Sequence, residues 1–308
     1  HKIPTLSSVH IFPTEKIFTK KHENYVVTKY STKAQDGDLI FFYELLPHKI
    51  KENNPTLFIV PGSGNQGARD VIDMPSELSK YYYQQGIGDK VATEGYIVYV
   101  IENRGWGERG LDVKMNCEQP DVYCSGNELH RHLFNLGYNQ YSLQIIDTMQ
   151  LLKHIHNLDY VNNEKIAIAG LSLGGPVSIA VSNLAPNVSS TIAASGVISQ
   201  YKTAGSGITP GMLKYFDQPD LAAALSPKPL YLSWGLNEKV EFGYEESERF
   251  SPSNSQPIAA EDEAELLQIK DFLMQRYNYD AGWPIFNAPP ESQEQTLVKL
   301  DYSINDNH

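Results

Sequence analysis

Basic residues are scarce in this chain. Its 25 lysines and arginines face 37 aspartates and glutamates, a formal net charge of −12. That balance argues against nucleic acid and anionic membrane surfaces as partners, and against a strongly acidic polymer as substrate. Long hydrophobic runs are missing as well. No apolar stretch approaches the ~18–20 residues of a membrane-spanning helix, so no transmembrane segment is expected. Cysteine is almost absent. Cys117 and Cys124 flank a proline-containing loop, and their closeness predicts a local disulfide and hence an exported protein, extracellular or periplasmic. The first residue is His1 and no signal peptide precedes the body of the chain, as expected of a mature exported form. Neither cysteine has the neighbours of a zinc pattern. His130 and His132 make an H-x-H pair without a third ligand, so no metal and no cofactor are expected. Asn187-Val188-Ser189 is a glycosylation sequon, meaningful only in a eukaryotic source.

What remains is ample for a core. The 308 residues are 41% hydrophobic and 11% aromatic, enough for one large α/β domain. Residues 1–24 have no clear period and read as a surface segment. Tyr25–Tyr30 and Leu39–Leu46 flank Asp36-Gly37, a hairpin signal. Short apolar runs at 55–60, 96–101, 165–169, 190–197, 229–234 and 296–303 read as buried strands. Helices are expected up to Gly95, over 141–158, 177–184, 221–225 and 261–277, and residues 108–137 read as a loop-rich excursion. Alternating strands and helices predict a parallel sheet covered on both faces, with active groups at the carboxyl ends of the strands.

One segment carries chemistry by its spacing. Gly170-Leu171-Ser172-Leu173-Gly174-Gly175 lies between a strand and a helix. That is the strand–G-x-S-x-G–helix context of a nucleophile elbow. A serine on so sharp a turn needs glycine two residues to either side, because side chains there would collide across it. Pro176 fits the first helical turn, where a missing N–H is harmless. The bland alternative is a surface turn with a chance serine. A serine hydrolase also needs an acid, a histidine and two oxyanion donors, in the chain order Ser, acid, His. Glu238 follows the strand Leu230–Trp234 and a glycine turn, with Glu241 and Glu245 as rivals. His308 is the only histidine after Glu238 and the last residue. It is either the base or merely an end residue. The expected oxyanion donors are the backbone N–H groups of Leu173 and of Ser63, in the turn 61–67. That turn lacks the Lys-Ser/Thr of a phosphate loop. His154 and His156 read as structural. Tyr81–Tyr83 read as helix packing or a sugar-binding cleft, Trp106 and Trp283 as borders of the pocket, and Arg104 as a brace for the oxyanion turn.

These residues resemble the α/β-hydrolase superfamily, and more narrowly its dienelactone-hydrolase and acetyl-xylan-esterase-like branch. Pro61-Gly62-Ser63-Gly64 stands where that branch has an HG-type oxyanion turn. Glu102-Asn103-Arg104-Gly105-Trp106-Gly107 is similar to its D-x-R-G-x-G strand end. The run from Thr209 to Phe216, with Asp220 to Leu230, resembles its P-G-[LM]-L-x-Y segment and the D-[LIV]-A-x-L-x-x-P-[RK]-P-L that follows. The likeness covers most of 25–238 and resumes at 296–308. It differs in Pro61 for histidine, in Glu238 for aspartate, and in a longer 239–295, read as a cap insertion. The resemblance implies an α/β-hydrolase fold: a mostly parallel central sheet with helices on both faces and an N-terminal hairpin. It implies a serine carboxylic-ester hydrolase with Ser172, Glu238 and His308 as triad and Gly62, Gly64 and Trp106 lining the pocket. The substrate would be a small or carbohydrate ester. A peptidase of the same fold and a catalytically silent binding protein are the alternatives.

Overall fold

A computed structural model describes residues 6–50, 54–64, 66–72, 74, 84–110, 124–194, 200, 208–235 and 295–299. Nine strands form one sheet in the order β1-β2-β3-β5-β4-β6-β7-β8-β9. They are β1 Thr14–Lys21, β2 Tyr25–Lys33, β3 Leu39–Pro47, β4 Thr56–Val60, β5 Ile97–Ile101, β6 Ile166–Leu171, β7 Val188–Ala194, β8 Leu230–Gly235 and β9 Gln295–Lys299. The five central strands, β5-β4-β6-β7-β8, are all parallel. Antiparallel strands flank them on both sides.

Strands β4 and β5 read as nearly unbroken apolar runs because both faces are covered. Along β4 and β5, Phe58, Val60, Ile97, Tyr99 and Ile101 pack to one side, against α4 (Gln140–His156) and α5 (Gly174–Leu184). Ile59, Val98 and Val100 pack to the other, against α1 (Ala68–Val71) and α2 (Ile87–Thr93). Each fully buried side chain of this size contributes about 1.5–3 kcal/mol. Helix α4 begins where Asn139 accepts the Ser142 N–H at 2.9 Å. The later α6 (Gln218–Ala223) begins with a capping box between Asp217 and Asp220, one turn earlier than its apolar residues indicate.

The sequence reading departs from the fold in three places. The segment 1–24 contains β1, an edge strand whose residues are mostly exposed. A strand paired on one side only need not alternate, and Lys16, Lys20 and Lys21 discourage further pairing at the edge. Within 108–137, Cys124–Asn135 form the helix α3. The last strand, β9, runs antiparallel to β8. Outside the described residues lie the expected helix 261–277, Cys117 and all of the expected cap 239–295 but its last residue, Gln295, which opens β9. Only the backbone of Cys124 is described, so the expected disulfide falls outside them too. Among the described residues, no helix is long and apolar enough to cross a membrane.

Candidate active site

Ser172 sits at the carboxyl end of β6, between that strand and α5, with φ +49°. A left-handed conformation is costly for a residue with a Cβ, and such strain persists only where the surroundings impose it. Here they do. The Ser172 N–H donates to the carbonyl of Ala194 at the end of β7, at 2.6 Å, and its own carbonyl accepts the Gly175 N–H at 2.9 Å. Gly170 and Gly174 face each other across the turn. A Cβ on Gly170 would lie inside 3.0 Å of the Gly174 carbonyl and of the Ser178 Oγ. A Cβ on Gly174 would lie as close to the carbonyls of Val60 and Pro61. The two glycines therefore let the serine turn form and let it press against the end of β4. Leu173 follows in helical geometry, φ −52° and ψ −31°. At the opening of α5 its N–H has no intrahelical acceptor.

The end of β4 is the start of the turn 61–67, so Ser172 and the expected oxyanion turn are direct neighbours. Gly64 and Gly67 take positive φ, +150° and +54°, which lets the turn double back. Side chains from three places clamp it. Gln84 accepts the Gly62 N–H at 2.8 Å, so Gly62 is not an oxyanion donor. The Asn103 amide donates to the Pro61 carbonyl at 2.5 Å. Glu102 accepts the Ala68 N–H at 3.0 Å. Gln84 is held in turn by Asp70, which accepts its backbone N–H at 3.0 Å. The roles of Gln84 and Asp70 have no signature in the sequence. Glu102 and Asn103 stand in a recognisable strand end, but only their three-dimensional partners reveal what they do.

Arg104 does not brace that turn. Its guanidinium donates to Asp147 at 3.0 and 3.2 Å and to Asp36 at 2.6 Å, and Arg109 shares Asp147 at 2.8 Å. This cluster ties the turn of the β2–β3 hairpin to α4. Against the effect of burial, the Asp147 and Asp36 carboxylates raise the Arg104 pKa further above its ordinary value. Trp106, expected at the border of the pocket, is instead 1% exposed. Its ring lies so close to Gly126 of α3 that a Cβ there would collide with it. Trp283 and Tyr81–Tyr83 are outside the described residues.

The other two triad candidates are not among the described residues. Glu238 comes three positions after Gly235, which ends β8 at the same carboxyl edge as Ser172. Glu241 and Glu245 follow it. His308 follows β9, and Lys299 pairs with Tyr231 at the amino end of β8. His130 and His132 are two apart on α3, so they point to different sides of the helix, and burial lowers the His130 pKa. His154 packs edge-on against Phe42 in the core. No group of three metal-ligating side chains occurs among the described residues. The sequon at Asn187 opens β7, and both polar atoms of the Asn187 amide are buried.

Solved structures share this architecture. A protein from Bacteroides fragilis assigned as an acetyl xylan esterase superposes with a TM-score of 0.65 at 19% identity, over 77% of this chain and 66% of that one. The match thus spans just under two thirds of that protein. A methylesterase gives 0.52 at 16% identity, over 73% of this chain and 46% of the other. An acetyl xylan esterase from a Paenibacillus species gives 0.50 at 17%, over 71% and 72%. At these identities the likeness establishes the fold. Comparison with curated proteins finds no match. The Abhydrolase family matches residues 6–245, a span that includes the elbow, its clamped neighbour turn and the parallel strands that carry both, and the chain belongs to that family.

Proposed function

We propose that this protein is a serine carboxylic-ester hydrolase working through an acyl-enzyme. The observation that carries this reading is Ser172 at φ +49° between β6 and α5, with glycines packed across the turn and the 61–67 turn beside it. Ser172 Oγ attacks the ester carbonyl, and the N–H groups of Leu173 and Ser63 stabilise the oxyanion. His308 takes the serine proton and returns it to the leaving alcohol, while Glu238 orients the imidazole. Water then releases the acid by the same route reversed. An acetylated carbohydrate or another small ester is the substrate class. It is drawn from the likeness to acetyl xylan esterases, a fold-level argument, and it agrees with a net charge that disfavours acidic polymers. The Cys117–Cys124 pair, if oxidised, places the protein outside the cytoplasm.

The test is hydrolysis of p-nitrophenyl esters of increasing acyl length by the wild type and by Ser172→Ala. Turnover by the wild type alone is expected, and its dependence on acyl length sizes the pocket. Equal turnover by the variant overturns the assignment. No turnover on any ester favours a peptidase or a silent binding protein.

A further inference from the structure

Glu102 is the least expected residue near the site. It follows β5, is 0% exposed, and lies between the backbones of two glycines. A Cβ on Gly67, or on Gly107, would fall inside 3.0 Å of its carboxyl group. Both glycines have positive φ, +54° and +51°. The chain thus bends twice to make room for one carboxyl group, once in the turn 61–67 and once in the loop after β5. That group accepts the N–H of Ala68, the first residue after the turn, at 3.0 Å. Its own backbone is anchored on both sides. The Glu102 N–H donates to the Phe41 carbonyl at 2.8 Å, and its carbonyl accepts from Arg109 at 3.3 Å.

We infer that Glu102 is a positioning residue for the oxyanion turn, its buried carboxyl group fixing the far end of the segment whose near end Gln84 and Asn103 hold. The inference rests on the esterase reading and deepens it by naming what holds one oxyanion donor in place. Pro61 and Gly62 are pinned by Asn103 and Gln84, and Ala68 by Glu102, so Ser63 is held between fixed points. An oxyanion donor stabilises the transition state only when it is aimed before the reaction starts. Burial favours the neutral form of the carboxyl group and raises its pKa to about 8; the Ala68 N–H opposes this, the charge of Glu108 adds to it, and the Glu108 N–H and Arg109 oppose it. A neutral acid is tolerated in that cradle, where an isolated carboxylate is expensive.

The experiment compares Glu102→Ala and Glu102→Gln with the wild type, by steady-state kinetics on a p-nitrophenyl ester and by hydrogen exchange over residues 62–68. Glu102→Ala is expected to lower kcat by at least 30-fold with KM moved less than threefold, and to speed exchange across 62–68. Glu102→Gln keeps an acceptor for Ala68 and should recover most of kcat and the slow exchange. Unchanged exchange in Glu102→Ala, or faster exchange with wild-type kcat, overturns the inference. Failure of Glu102→Gln to recover either quantity overturns it too. If the wild type hydrolyses no ester, the esterase reading fails and the catalytic role falls with it. The exchange measurement still reports whether the clamp exists, so the two failures are distinguishable.

Discussion

Ser172→Gly should make the protein more stable than Ser172→Ala while abolishing the same activity. Both variants lose the hydroxyl, so they differ only in what the backbone at φ +49° costs. For a residue with a Cβ, the left-handed conformation costs about 1–3 kcal/mol. Glycine removes that cost but loses about 0.5–1 kcal/mol more conformational freedom on folding. The difference is about 1 kcal/mol in favour of glycine, a rise of roughly 2–4 °C in Tm for a large domain. The surroundings do not relax to cancel it. The Ser172 N–H is fixed at 2.6 Å on Ala194, and its carbonyl holds the Gly175 N–H at 2.9 Å, so position 172 keeps its dihedral whichever residue stands there. Urea denaturation of the wild type, Ser172→Ala and Ser172→Gly, followed by circular dichroism, measures the difference. The wild type should lie close to Ser172→Ala. A glycine variant no more stable than the alanine variant would refute the reasoning, because the turn would then hold no strain.

Two further outcomes follow from the same geometry. Gly170→Ala places a Cβ inside 3.0 Å of the Gly174 carbonyl, which is backbone, as well as of the Ser178 Oγ. The turn must open, with a loss of about 1–3 kcal/mol from overpacking and about 100-fold in kcat/KM from a displacement of roughly 1 Å at the nucleophile; a variant with wild-type stability and kinetics contradicts the packing. Glu102→Gln should change how stability varies with pH. The folded protein holds the Glu102 proton up to about pH 8, whereas the ordinary value is 4.5, so the unfolded chain releases it first. The sign follows. The contribution of Glu102 to stability is fully present below pH 4.5 and is lost as pH rises towards 8, by about 1.4 kcal/mol per pH unit, or about 3 kcal/mol by pH 7. Glutamine cannot lose that proton, so the variant should gain on the wild type by this amount between pH 4.5 and 7 in paired urea titrations. A stability difference that is constant with pH rejects the raised pKa.

The strand–turn–helix around Ser172 was legible in the sequence because its causes are local. A strand of Ile166, Ile168 and neighbours, two glycines at fixed spacing and an early proline are each needed within one turn of chain, and they leave a pattern. Strands β4 and β5 were legible for a related reason: burial on both faces demands apolar residues at almost every position. The β2–β3 hairpin declares itself through Asp36-Gly37, and its two strands pair in register from Tyr25–Pro47 to Lys33–Leu39. Strand β1 was not legible, since an edge strand with mostly exposed residues has no pattern to impose. The direction of β9 was not legible either, because a strand of only five residues pairs equally well both ways.

Roles that depend on distant partners belong to the tertiary structure alone. Arg104 and Trp106 occupy a strand end that resembles a catalytic one. Yet Arg104 turns to Asp36 and Asp147, and Trp106 fills the space against Gly126. Gln84 and Glu102 look like ordinary polar residues until folding brings them to Gly62 and Ala68. By itself the sequence determined the fold class and the place of the strained serine turn, because both follow from short-range sterics and the periodicity of burial. Only the tertiary structure decided which side chains hold the turn beside that serine, because a buried hydrogen bond is set by where two segments meet and not by what either one spells.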